Sequence, residues 1–246
     1  MTKPTQGRLD PPDDAGICNG RTDLIIDWVD AGNDATKSVG DGRRLIEVCA
    51  YFGDVTAISF LLSRGEKLDS LGPDLGLNGA VFHGHWRLTE FLLSRGADAN
   101  AADEATGETP LHSVFGAAYR AEHDLVLQVL LAFGARPNVT TRPGVPTGAF
   151  MRDVRTRAET PLHRAAAFGS ERAITLLLAA GADLSARDVN GDSPLAWASW
   201  HRRNVPVLRL LSPTDGSLYP GKPMMAENLR GQPKRVPEKS GTQRRR

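Results

Sequence analysis

Residues 158–185 read AETPLHRAAAFGSERAITLLLAAGADLS. Elementary physical chemistry divides this stretch into two short helices. Thr160 suits an N-cap, because its hydroxyl can take a backbone N–H that a helix start leaves orphaned. Pro161 suits the first helical position, where its missing N–H costs nothing. Leu162, Ala165 and Ala166 make a small apolar face for close packing, and Gly169 can end the helix in the left-handed conformation. Ser170 can cap a second helix, in which Ile174, Leu177 and Leu178 share one face, and Gly181 ends it. The unit is helix, turn, helix, then a short extended segment. A lone pair of helices of roughly eight to ten residues is unstable in water, so neighbours must cover it.

The unit recurs. Glu-Thr-Pro-Leu-His is written at Glu108–His112 and again at Glu159–His163, and SPLAWAS from Ser193 echoes TPLHRAA from Thr160. A Leu-rich run closed by glycine appears at Gly32, Gly65, Gly96, Gly134 and Gly181, at intervals of 33, 31, 38 and 47 residues. Thr160 and Gly181 lie 21 residues apart, and the same step back from earlier glycines reaches Leu75, Arg44 and Pro11. A fixed period of this size is the mark of a stacked array.

Thr-Pro-Leu-His followed by Gly-Ala-Asp at this period resembles the ankyrin repeat. The resemblance implies an all-α solenoid of about six stacked β-turn/helix/helix units, with a concave face of turns and first helices. The expected units lie near 11–41, 42–72, 73–106, 107–140, 158–190 and 191–212, within a repeat domain at 11–212. Residues 1–10 are an N-terminal extension, 141–157 a loop insertion, and 213–246 a basic tail. The fourth unit also carries extra residues around GAAYRAEHD. The resemblance further implies that His112 and His163 are structural, bonding the Thr hydroxyl and nearby backbone.

Composition narrows the function classes. The chain has 246 residues with 40% apolar and 24% charged residues, as an ordinary globular protein does. Net charge is +1, but residues 212–246 hold eight Lys/Arg against three Asp/Glu, so the remainder is mildly acidic. The tail is Pro-rich and poor in apolar residues, which reads as disorder. Its one aromatic, Tyr219, offers little for stacking bases, so nucleic acid is not the expected partner. Cys18 and Cys49 fit free thiols in a reducing compartment. The N-terminus has no signal-like apolar segment and no membrane span is expected, so the expected location is cytoplasmic.

Catalytic signatures are missing: there is no Gly-rich phosphate loop, nucleophile elbow, H-E-x-x-H or C-x-x-C. His83 and His85 form the nearest approach to a metal pair, and zinc needs a third ligand that the neighbourhood does not supply. His123 and His201 show no evident partner. The expectation is that the chain is not an enzyme and uses no metal or cofactor. The positions before each first-helix glycine are more informative. They hold Tyr51 and Phe52, Phe82 and His83, and Phe168, with Trp200 slightly out of register. By the resemblance they face the groove, where successive aromatics would form a hot-spot stripe for a protein partner. The same rings could instead pack between units, and both roles can coexist. Arg152 and Arg155, beside Phe150 and Met151 in the insertion, are the supporting contacts. The expected protein is a monomeric recognition module. The alternatives are a nucleic-acid-associated protein acting through its tail and an enzyme scaffolded on the repeats.

Overall fold

The computed structural model describes residues 12, 14–38, 42–116, 119–147 and 158–212. Among them are twelve α-helices: α1 (Asp14–Cys18), α2 (Thr22–Asp30), α3 (Leu45–Phe52), α4 (Val55–Ser63), α5 (Leu77–His83), α6 (Trp86–Ser94), α7 (Pro110–Ser113), α8 (Ala121–Ala132), α9 (Pro161–Phe168), α10 (Glu171–Ala179), α11 (Pro194–Trp200) and α12 (Val205–Leu211). A single 3₁₀ turn lies at Leu68–Leu71, and no strand occurs among the described residues.

The helices form two rows. The odd-numbered helices touch in succession from α1 to α11, and the even-numbered ones from α2 to α12. Each odd helix also meets the even helix that follows it. This is the solenoid arrangement: every pair is covered by its neighbours, and none has a core of its own. Between the rows runs one continuous core. It includes Leu45, Leu61, Leu77, Leu92, Leu111, Val126, Leu162, Ile174, Leu195 and Leu211, all buried.

Helix starts follow the capping chemistry. Ser170 Oγ accepts from Ala173 N at 2.8 Å, and Ser193 Oγ accepts from Ala196 N at 3.2 Å. Asp54 Oδ1 accepts from Ala57 N at 2.9 Å. The α5 start differs from the phase the period implies. Leu75 and Gly76 both take positive φ, of 54° and 79°, and the helix opens at Leu77.

Gly169 also departs from expectation. Its φ is −73° and ψ 170°, extended rather than left-handed. Glycine is needed there for space instead: a Cβ would sit 2.9 Å from Ala165 O and 3.1 Å from the Phe115 ring. The previous unit's aromatic side chain presses against the end of α9.

Candidate functional site

The repeated Thr-Pro-Leu-His phrase builds the turns that carry the first helices. His112 Nδ1 accepts from Thr109 N at 3.1 Å and lies 2.9 Å from Thr109 Oγ1. Its Nε2 lies 3.2 Å from Glu159 O in the next unit. A nitrogen accepting a backbone N–H leaves the proton on the other, so Nε2–H is the donor. His163 repeats the pattern with Thr160 and, at 3.1 Å, Asp192 O. Burial, followed by the charge of Arg164, pushes the His112 pKa down to about 3. The ring is neutral and structural, as the resemblance implies.

The Glu before each Thr has a partner that the sequence pattern did not reveal. Arg164 is fully buried. Its Nη2 lies 2.6 Å from Glu159 Oε1, and its Nη1 lies 2.7 Å from Glu108 Oε1. Nη1 also donates to His112 O at 3.2 Å. Thr141 Oγ1 donates to Glu159 Oε2 at 2.9 Å. Both glutamates of the repeated phrase therefore converge on one guanidinium, across the join that carries the insertion. The planar fork of arginine can serve two carboxylates and a carbonyl at once.

A second pattern closes the C-terminal ends of the first helices. His85 Nε2 lies 2.8 Å from Tyr51 O at the end of α3. At the end of α5, His123 Nε2 lies 3.2 Å from Phe82 O and Arg120 Nη2 donates to His83 O. Arg203 Nη1 donates to Ala166 O at 3.0 Å and its Nη2 to Gly169 O. Each donor comes from the following unit. Basic groups suit the negative end of a helix and satisfy carbonyls that the last turn leaves free. His85 packs so closely here that a Cβ on Gly53 would fall 2.6 Å from its Cγ.

The expected recognition residues fall into two groups. Tyr51, Phe52, Phe82 and His83 come together on α3 and α5. The Tyr51 ring is 53% exposed and lies 4.7 Å from His83 and 5.0 Å from Phe52. Phe52 is half-buried against the core. Phe82 is half-buried beside His83, and it covers Gly116, where a Cβ would meet it at 3.4 Å. Phe168 packs with Ala167 and Trp197, its ring 4.5 Å from His201. Trp200 is 54% exposed. Arg152 and Arg155 lie outside the described residues, as do Phe150, Met151 and the basic tail.

The N-caps Arg44, Gly76, Thr109, Thr160 and Ser193 fix the register. The seventh residue beyond each is Tyr51, His83, Gly116, Ala167 and Trp200. Large rings thus stand at either end of this row, with buried Gly116 and Ala167 between them. His83 and His85 stack with centroids 5.8 Å apart, and Nε2 of His85 is already committed to Tyr51 O. Among the described residues no group of three or more His, Cys, Asp or Glu is placed to hold a metal.

Short paired helices stacked in two rows define a helical repeat protein. Residues 114–218 match the family model for ankyrin repeats, in three copies, and the chain carries ankyrin repeats. The same stacking continues through α1–α6, ahead of the matched residues. The chain is 28% identical over 205 residues to palmitoyltransferase ZDHHC13 of Mus musculus, a match covering 69% of this chain and 30% of that protein. It is 28% identical over 212 residues to palmitoyltransferase ZDHHC17 of Homo sapiens, covering 72% and 31%. It is 31% identical over 145 residues to serine/threonine-protein kinase TNNI3K of Mus musculus, covering 54% and 16%. The chain thus spans about a third or less of these relatives.

These relatives correct one expectation. Absence of catalytic motifs suggested that the chain is not an enzyme, yet proteins it resembles are named for acyl and phosphoryl transfer. A motif search over a repeat array does not separate a stand-alone array from one working with a catalytic unit, because fold and chemistry are independent. Among the described residues, no helix is long and apolar enough to cross a membrane.

Proposed function

We propose that the first-helix face of residues 11–212 recognises a protein partner, with Tyr51 and His83 at one end and Trp200 at the other. The exposed Tyr51 ring against His83 is the main support. Two rings from successive units stand side by side on one surface, and half of Tyr51 remains open to contact. Aromatic side chains supply large, rigid contact area and dominate interfaces of this kind. Phe52, Phe82 and Phe168 support the surface from beneath. Arg152 and Arg155 of the insertion are the supporting contacts, on the sequence alone. Cys18 and Cys49, both free thiols, support a reducing compartment such as the cytoplasm.

The test is affinity capture with the wild-type chain, Tyr51→Ala, Trp200→Ala and a second-helix control, Phe133→Ala. The expected result is a partner lost from both first-helix variants and retained by the control. Equal retention by all three variants would refute the proposal. The named relatives favour a second function for the same surface, in which the array presents a bound protein to a transferase centre. Acyl- or phosphoryl-transfer activity co-purifying with the wild-type chain, and absent with Tyr51→Ala, is the expected sign.

A further inference from the structure

The side chains that close α3 and α5 are basic, and one member of that group has no carbonyl to close. His85, His123 and Arg120 each reach a backbone oxygen. The His83 imidazole makes ring contacts alone among the described residues, with Tyr51, Phe82 and His85. It is half-buried, and neither ring nitrogen is hydrogen-bonded among the described residues. Arg120 is exposed, and no carboxylate pairs with it among the described residues. A guanidinium carries five N–H groups, and His83 O occupies only part of that fork.

The ionisable groups that act on His83 all disfavour its charged form. Arg120 and His123 of α8 and its cap, and His85 at the cap of α6, act on His83. α8 also carries Glu122 and Asp124, the latter bonded to Tyr119 and Ser170, and α6 carries Arg87, over the Trp86 ring, and Glu90. Asp54 precedes α4, and Glu47 lies one turn before Tyr51 on α3. Glu47 is spent on Arg44 N, and Asp54 on Ala57 N and the Thr22 hydroxyl. After burial, the groups that lower the His83 pKa are His85, Arg120 and His123.

We propose that Tyr51, His83 and Arg120 together receive an acidic segment of the protein partner. A partner carboxylate sits between the His83 ring and the free N–H groups of Arg120, and an apolar side chain of the same segment lies on Tyr51. The proposal rests on the recognition face described above and gives it a chemistry. A carboxylate brought to this group supplies the negative charge the neighbourhood lacks, so binding favours the imidazolium and takes up a proton. Affinity is then lowest above the bound-state pKa of His83. It rises as pH falls and levels off below the free-state value.

The experiment uses the full chain, with histidine ring carbons labelled for NMR. The probe is an N-acetylated octapeptide alternating Glu and Leu, and its control alternates Gln and Leu. His83 is titrated from about pH 8.5 to about pH 5.5 with and without each peptide. The Glu peptide is expected to raise the His83 pKa by about one unit, which is about tenfold tighter binding at low pH. The Gln peptide should not do so. His83→Asn should abolish the pH dependence. Because it also removes ring contacts with Tyr51, Phe82 and His85, a thermal melt close to that of wild type accompanies it as the control for folding. Tyr51→Ala should weaken the Glu peptide at every pH. An unmoved His83 pKa, an equal response to both peptides, or an unchanged pH profile in His83→Asn would each overturn the proposal. If the peptides fail while Tyr51→Ala still strips the captured partner, the acidic chemistry falls and the recognition face stands. If Tyr51→Ala keeps its partner, the face itself falls.

Discussion

Helices α3 and α9 hold the same place in the stack and start by different chemistry. At α9, Thr160 N donates to His163 Nδ1, and the far side of that neutral ring reaches Asp192 O. At α3, Arg44 stands where Thr would and Glu47 where His would. Glu47 Oε2 accepts from Arg44 N at 2.6 Å, and Arg44 Nη2 lies 2.9 Å from Glu66 Oε1. Both solutions give the N-cap amide an acceptor three residues on, and both tie the turn to another segment. At these two helices the position needs an acceptor and not a particular residue, whereas α5 and α11 carry Gly79 and Ala196 there and start without one. The family model begins at residue 114, whereas the contact pattern begins with α1. Geometry outlasted the motif.

The largest effect expected on that comparison comes from the motif-bearing half. Leu162→Asp places a charge where the side chain is fully buried between units. A loss of about 4 kcal/mol or more is expected, with α9 and its neighbours unfolding together. A circular-dichroism melt matching wild type would break the stacking account. Arg164→Met is next. It leaves Glu159 buried without its partner, at about 3 to 4 kcal/mol, and the loss should be smaller if Glu159→Gln is added. Urea unfolding of the single and double variants measures that difference.

Acid should separate the halves by a smaller margin. His112 titrates at about 3 in the fold, below the ordinary histidine value, so only the unfolded chain binds its proton near neutrality. Stability is therefore complete above about pH 6.5 and declines as pH falls toward 3. Between about pH 6.5 and about pH 5 the loss from His112 is about 2 kcal/mol. Amides of α7, whose turn carries His112, should lose hydrogen-exchange protection before those of α3, whose turn has no such ring. The smallest effect is expected from Glu47→Gln. The amide oxygen still accepts from Arg44 N, so the cost should stay under about 1 kcal/mol by thermal melt.

The helices were legible because capping residues, closing glycines and apolar spacing all agreed in the fifth unit. The role of His112 was legible because its phrase is repeated. Two features were not. Arg164 sits beside His163 in the sequence, but the same position holds Ser113 one unit earlier, so no repetition marked it. The helix-closing His85, His123 and Arg203 act on carbonyls about a unit away, a pairing that residue spacing does not encode. Phe82 and His83 were read as equivalent to Tyr51 and Phe52. α5 is one residue shorter at its start, but its end keeps the register: His123 reaches Phe82 O as His85 reaches Tyr51 O, so Phe82 is the counterpart of Tyr51 at the helix end.

One consequence follows from Thr141 and Glu159. Thr141 N donates to Glu159 O at 3.1 Å, beside the hydroxyl–carboxylate contact between the same residues. The two ends of the intervening segment are thus stitched together by the array itself. Once its mouth is closed, lengthening such a segment is cheap, at roughly 0.6 kcal/mol for each doubling. That makes the span a natural port for grafting: a foreign epitope or a small folded cargo could be spliced there while the scaffold on either side stays zipped.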